Sequence, residues 1–286
     1  MQPGTVALVL AAAVAHAAWN LASKYKRGDT LLFVCASTCA AALLYVPISV
    51  VFLAHGQQTL DWRLGVGAAV SAALHTVYSM TLQAGYDRAE FGVVYPIARG
   101  TGPLLTMLFA ILFLGEHLTT LAASGALLIV AGILVVSGNP FKSGSRRPLH
   151  GLRWGAATGA SIASYTLWDS YAVTFLHLAP VSYYAATLLL QSLILAPSVL
   201  RRRHRIRAAI RTDAVPILIV AVFSPLAYIL VLTAMKSAPV ALVAPLRESS
   251  VVIGSLLAFA LFREDHFARR IAGAVVVLAG IAAIAV

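Results

Sequence analysis

Residues Val93–Leu105 read VVYPIARGTGPLL, and Leu242–Gly254 read LVAPLRESSVVIG. Each is an apolar run led by a proline that precedes charge. The first places Ala98-Arg99 where the second places Arg247-Glu248. A charge in the middle of a run of about two dozen apolar residues has to be explained. In lipid it costs at least ~2.5 kcal/mol on insertion scales, so it faces a bundle interior or a watery cavity. The two stretches therefore read as one element used twice, with their charges turned toward a shared polar path through a membrane.

The rest of the chain supports that setting. Of 286 residues, 60% are hydrophobic and only 11% charged, with a mean hydropathy of +0.87, whereas soluble domains carry about 25% charged residues. Crossing a ~30 Å hydrocarbon core as a helix takes about 20 residues. Ten such runs are readable, at approximately 3–23, 30–54, 64–86, 91–114, 119–138, 152–173, 179–200, 214–235, 239–262 and 267–286. They are expected to be helices because backbone polar groups in lipid must be satisfied within the segment. The opening MQPGTVALVLAAAVAHAAWN lacks the basic region of a cleaved signal and is read as the first span.

The net charge of +11 does not point to nucleic acid, because it is distributed as membrane orientation. Of the 21 lysines and arginines, seventeen fall in or beside the connections after spans 1, 3, 5, 7 and 9, including RRRHRIR at Arg201–Arg207. Only Arg63 and Lys236 lie on the opposite side, and Arg99 and Arg247 lie inside spans. The positive-inside rule then puts the odd-numbered connections in the cytoplasm and both termini outside. Cys35 and Cys39 sit four apart in one apolar run with no His or carboxylate beside them, which reads as packing and predicts no metal.

A shift of 149 residues superimposes the halves without a gap, placing Trp19 on Trp168, Pro96 on Pro245, Phe113 on Phe262 and His117 on His266. The chain divides into a first five-span repeat at 1–138, a basic Gly/Pro/Ser linker at 139–151 and a second repeat at 152–286. Five spans per repeat is odd, so the second repeat is inverted in the membrane relative to the first. Inverted repeats with a site near the midplane are a transporter architecture. Motifs of soluble or intramembrane enzymes are missing: there is no HExxH, no GxSxG and no pair of acids at a shared depth.

YPIARG…FLGEHLT in the first repeat and APLRES…FREDHF in the second resemble the drug/metabolite transporter superfamily, EamA family. The second copy departs from the pattern at Arg263-Glu264-Asp265. Within the family the tryptophans and tyrosines look most like YddG-type exporters of aromatic amino acids. The resemblance implies an all-α integral membrane protein, ten transmembrane helices in two inverted five-helix repeats, exporting small metabolites across a bacterial inner membrane. It implies no cofactor. Expected partners are the lipid bilayer, an amino acid or similar zwitterion, and protons as a candidate co-substrate. The duplication removes the need for a dimer.

Candidate substrate-binding residues follow from shared faces at 3- and 4-residue spacing. These are His16, Trp19 and Asn20 on span 1, His75 and Tyr78 on span 3, Tyr95 and Arg99 on span 4, and Tyr165, Trp168 and Asp169 on span 6. Spans 8 and 9 add Ser224, Tyr228 and Glu248. Arg99 and Glu248 occupy the same repeat position, so the pseudo-twofold axis draws them together. Either they lock the halves as a buried salt bridge, or Arg99 takes a substrate carboxylate and Glu248 its ammonium. Asp169, His16 and His75 are candidates for proton coupling, with Asp169 expected near enough to the surface to need no partner. Arg247, one residue round from Glu248, is expected to contact neighbouring helices.

Overall fold

The structure, a computed structural model, describes residues 1–23, 25–89, 91–137, 148–262 and 267–285. Among these, the regular elements are all helices. The first repeat contains α1 (Pro3–Ser23), α2 (Thr30–Ala54), α3 (Trp62–Arg88), α4 (Phe91–Phe113) and α5 (Thr120–Ser137). The second contains α6 (Pro148–Thr174), α7 (Pro180–Leu200), α8 (Arg203–Met235), α9 (Val240–Arg247), α10 (Ser249–Phe262) and α11 (Phe267–Ala285). Five helices, α1, α2, α4, α7 and α8, are long and apolar enough by themselves to cross a membrane. Helices α3 and α6 are 27 residues each but dilute their apolar faces with Ser71, His75, Tyr165 and Asp169, all buried inside the bundle.

Helices α3 and α6 start two and four residues earlier than read from sequence, α6 from within the expected linker, and two spans differ more deeply. The ninth span is broken: helical hydrogen bonding lapses at Glu248, whose amide donates back only three residues to the Pro245 carbonyl. Pro245 has no amide to offer and weakens the turn just before the break. The eighth span begins early, because the run expected as a connection is the helical start of α8, up to a kink at Asp213 (φ −116°, ψ 21°). Arginine, alanine and isoleucine hold a helix readily, and outside the apolar layer the charges can stay exposed. Most of the expected linker at 139–151 lies outside the described residues.

The helix contacts come in pairs that the 149-residue shift exchanges. Helix α1 packs on α8 and α10, and its repeat mate α6 packs on α3 and α4, the mates of α8 and α10. Helices α2 and α7 pack on each other, as do α5 and α11, so these pairs straddle the pseudo-twofold axis. The repeats are interleaved: the first helix of each is seated in the other half.

The α5–α11 seam is held by absent side chains. A Cβ on Gly125 would stand 2.7 Å from the Gly280 carbonyl oxygen, and one on Gly132 would stand 2.8 Å from the Gly273 oxygen. Small residues let backbones approach this closely, which is how helices gain van der Waals contact where lipid offers no hydrophobic drive. Gly132→Val is expected to cost about 1–3 kcal/mol by overpacking, read as a lower unfolding midpoint of the purified protein. Gly65→Ala, where nothing lies within 4 Å of the new Cβ, should leave the midpoint in place.

Open helix-start and turn amides are capped across the repeats. Glu116 accepts the Val240 and Ala241 amides at 2.8 and 2.9 Å, capping α9; Gln58 accepts the Ala179 amide before α7 at 2.7 Å. Asp213, at the kink, accepts the Arg27 and Gly28 amides at 2.9 Å. Each satisfies donors that a helix start or turn leaves open. The corresponding stretch of the second repeat, Arg263–His266, lies outside the described residues. At the start of α2, burial pushes the Asp29 carboxyl upward, but amide bonds from Leu32 and Leu31 and the Arg202 guanidinium outweigh this and hold it below the usual carboxylate range.

Candidate functional site

Between the halves lies a cavity of about 540 Å³ walled by both repeats. It runs from Arg99 and His75 at mid-bundle to Lys26 and Gln83 at the end that carries the α1–α2 and α3–α4 connections. The opposite end is closed. There Trp168 Nε1 donates to the Gly67 carbonyl at 3.0 Å, and Gln58 ties α7 to the α2–α3 connection.

The repeat position that opens the sequence carries the charge of the site. Arg99 Nη1 lies 3.1 Å from Glu248 Oε2 and 3.4 Å from Oε1. Arg247 reaches the same carboxylate, Nη2 to Oε1 at 3.0 Å and Nε to Oε1 at 3.3 Å. Glu248 has no exposure at all, and its oxygens are taken by two guanidiniums. Both arginines line the cavity, and Glu248 stands behind them. The triad therefore presents two permanent cations against one anion. The salt bridge drawn by the repeat axis is present, but the ammonium role expected of Glu248 has no surface in this conformation. Arg247, expected among neighbouring helices, is part of the cavity wall.

The facing wall is aromatic. The His75 ring stacks on Tyr165 with centroids 4.2 Å apart, Tyr78 meets Tyr165 edge-on at 5.3 Å, and Tyr184 lies 4.7 Å from Tyr228. Such π faces receive an aromatic ring or an ammonium group. Nearer the mouth, His16 and Trp19 form an edge contact at 4.9 Å. Trp19 Nε1 and His16 Nε2 are buried without a hydrogen-bond partner among the described residues. Both side chains line the cavity, within the field that Arg99 and Arg247 exert on His16. A buried donor or acceptor left unmade costs about 1–3 kcal/mol, so these atoms are suited to a polar ligand group.

Beneath the aromatic wall, Asp169 is fully buried. Its Oδ1 accepts Tyr183 Oη at 2.5 Å, and its Oδ2 accepts Tyr228 Oη at 2.5 Å and meets His75 Nε2 at 3.0 Å. This corrects the expectation that Asp169 sits near the surface without a partner: the closed end of the bundle covers it, and three helices supply its donors.

Of the residues expected from sequence, His16, Trp19, His75, Tyr78, Arg99, Tyr165, Ser224 and Tyr228 share the cavity. Five stand off it. Asn20 bonds its own helix at the His16 carbonyl, Trp168 is in the closed end, Tyr95 stacks under Arg99 at 5.3 Å, and Asp169 and Glu248 lie behind the wall. Sequence reasoning missed Phe33 and Thr38 on α2, Tyr86 on α3, and Tyr184 and Gln191 on α7. The spacing Tyr184, Leu188, Gln191 marks one helical face of α7 and would have found it. Tyr45 donates to the Val222 carbonyl at 2.8 Å and bridges α2 to α8.

A model of the EamA-like transporter family matches the chain twice, over residues 4–138 and 149–286. A solved crystal structure of another protein, 17% identical, superimposes with a TM-score of 0.73 over 99% of this chain and 96% of that one. At that identity the likeness is one of fold.

Proposed function

Because the chain belongs to the EamA-like transporter family and is a membrane transporter of small solutes, we propose that its solutes are amino acids, aromatic ones included. It carries them outward by alternating access across a bacterial inner membrane, as the YddG-type exporters it resembles do. The observation that supports this reading is the pairing of two guanidiniums, sharing a single carboxylate, with a wall of tyrosines across one cavity. Arg99 and Arg247 receive the substrate carboxylate, Trp19 adds its indole donor, and Tyr78, Tyr165, Tyr184 and Tyr228 hold the ring or ammonium.

Orientation follows from charge. The cavity mouth lies at the end where the basic connections gather, which the positive-inside rule assigns to the cytoplasm. The conformation is then open inward, ready to load from the cell interior, with both termini outside. The repeats, 1–138 and 152–286, rock about the site, and one chain suffices for the cycle.

Binding to purified protein tests the substrate chemistry. L-phenylalanine, phenethylamine and 3-phenylpropionate share a ring and differ in their charges. Saturable binding of L-phenylalanine and 3-phenylpropionate, with phenethylamine far weaker, is the expected pattern. Preference for phenethylamine would contradict a carboxylate site. Trp19→Ala is expected to weaken L-phenylalanine more than about tenfold, the loss of one hydrogen bond of about 1 kcal/mol plus ring contact, and L-alanine, which shares the carboxylate but has no ring, only by the hydrogen-bond share of about fivefold. Equal losses would show that the indole does not contact the ring.

A further inference from the structure

Among the described residues three carboxylates are buried: Asp213 at the α8 kink takes two backbone amides, while Glu248 and Asp169, within the bundle, are compensated in opposite ways. Glu248 is held by two guanidiniums, which stay charged at any physiological pH. Asp169 is held by two tyrosine hydroxyls and one histidine. The tyrosines solvate a charge but do not neutralise it, whereas histidine gains and loses a proton near neutrality. A carboxylate paired with a histidine can in general hold an exchangeable proton, whereas one shared by two guanidiniums cannot. His75 also lines the cavity, giving that proton a way to water.

The 149-residue shift adds a second observation. The mates of Tyr183, Tyr228 and His75 are Val34, Ser79 and Ser224, and all three line the open half of the cavity. The mate of Asp169 is Asn20, and the mate of Trp168, bonded in the closed end, is Trp19, whose indole nitrogen is without a described partner in the open one. The cluster around Asp169 thus occupies the closed copy of a position whose other copy is splayed. When inverted repeats exchange their conformations, the splayed copy closes and the closed copy splays.

We propose that Asp169, paired with His75, is a proton-binding site, sealed here and opened to the opposite face when the repeats exchange, so that one proton enters as one amino acid leaves. This rests on the carrier reading above. On the far side Asp169 loses its tyrosine donors and takes a proton from water, giving the neutral acid. Closure returns the proton to the Asp169–His75 pair, and His75 releases it into the cavity. A substrate ammonium seated among Tyr165, Tyr184 and Tyr228 repels a proton on His75, so loading and protonation exclude each other. Other titratable groups face the pair: Tyr165 from α6, Tyr184 from α7 and Tyr228 from α8 ring His75, and Tyr183 from α7 bonds Asp169, while Tyr78, Arg99 and Arg247 share the cavity with His75. The two arginines keep their charge at any physiological pH.

Proteoliposomes separate this proposal from the reading it rests on. Exchange of L-phenylalanine at equal pH on both faces reports the carrier; uptake against its gradient, driven by a pH step, reports the proton. The expected result is that wild type does both, while Asp169→Asn keeps exchange within about threefold and loses the driven accumulation. Entrapped pH dye should show wild-type proton movement that depends on L-phenylalanine, a readout that needs no variant to fold. His75→Gln, which removes the ring paired with Asp169 and also a wall contact of the cavity, should lose the pH-driven accumulation whatever its effect on exchange. Wild-type exchange with no pH-driven accumulation, or Asp169→Asn accumulating as wild type, overturns the proton site and leaves the carrier standing.

Discussion

Glu248→Ala is expected to lower stability by about 3–5 kcal/mol, the usual cost of stranding a buried charge by removing its partner. Here two charges are stranded, since Arg99 and Arg247 lie 8% and 4% exposed in their side chains and share that one carboxylate. Arg99→Ala leaves Glu248 with Arg247, and Arg247→Ala leaves it with Arg99, so either change should cost clearly less. The order of unfolding midpoints should be wild type, then the two arginine variants, then Glu248→Ala well below. Combining Arg99→Ala with Glu248→Ala leaves one uncompensated cation in place of two and should recover part of the loss, a non-additivity that a double-mutant cycle reads directly. Equal midpoints for all four proteins would show that water reaches the triad and carries its charges.

Arg99→Ala is expected to weaken substrates bearing a carboxylate by about ten- to a hundredfold, because a hydrogen bond to a charged group contributes about 1.5–3 kcal/mol and every 1.4 kcal/mol is a factor of ten. Phenethylamine, which has no carboxylate, should change little. Arg99→Lys restores the charge but not the planar fork and should recover only part of the affinity. The three measurements together distinguish a ligand contact from a structural brace, since loss of a brace would weaken every ligand alike.

Much of this is legible in the sequence. Helices long enough to span lipid announce themselves by composition, and a repeat offset carried by Trp, Pro, Phe and His is specific enough to draw Arg99 to Glu248 across the axis. What the sequence hid is set by rotation and packing. Which side of α7 faces the cavity depends on how it rolls against α2 and α3, so Tyr184 and Gln191 went unseen although their spacing was plain. Asp169 looked near a span end because α6 was expected to stop at 173, close to where it does stop. Nothing in its neighbours shows that Tyr183, Tyr228 and His75 converge on it from three other helices. Likewise, no local signal tells that Glu248 is spent on two arginines: Arg247 adjoins it in sequence, but its side chain could as well have turned outward.

Counterflow in proteoliposomes tests the central claim most directly. Vesicles loaded with unlabelled L-phenylalanine and diluted into labelled L-phenylalanine should take up label transiently and saturably with wild-type protein. Arg99→Ala, purified to the same folded yield, should show the exchange greatly reduced. Counterflow that is absent in folded wild type, or that survives undiminished in Arg99→Ala, would contradict an amino-acid carrier whose substrate carboxylate is held at Arg99.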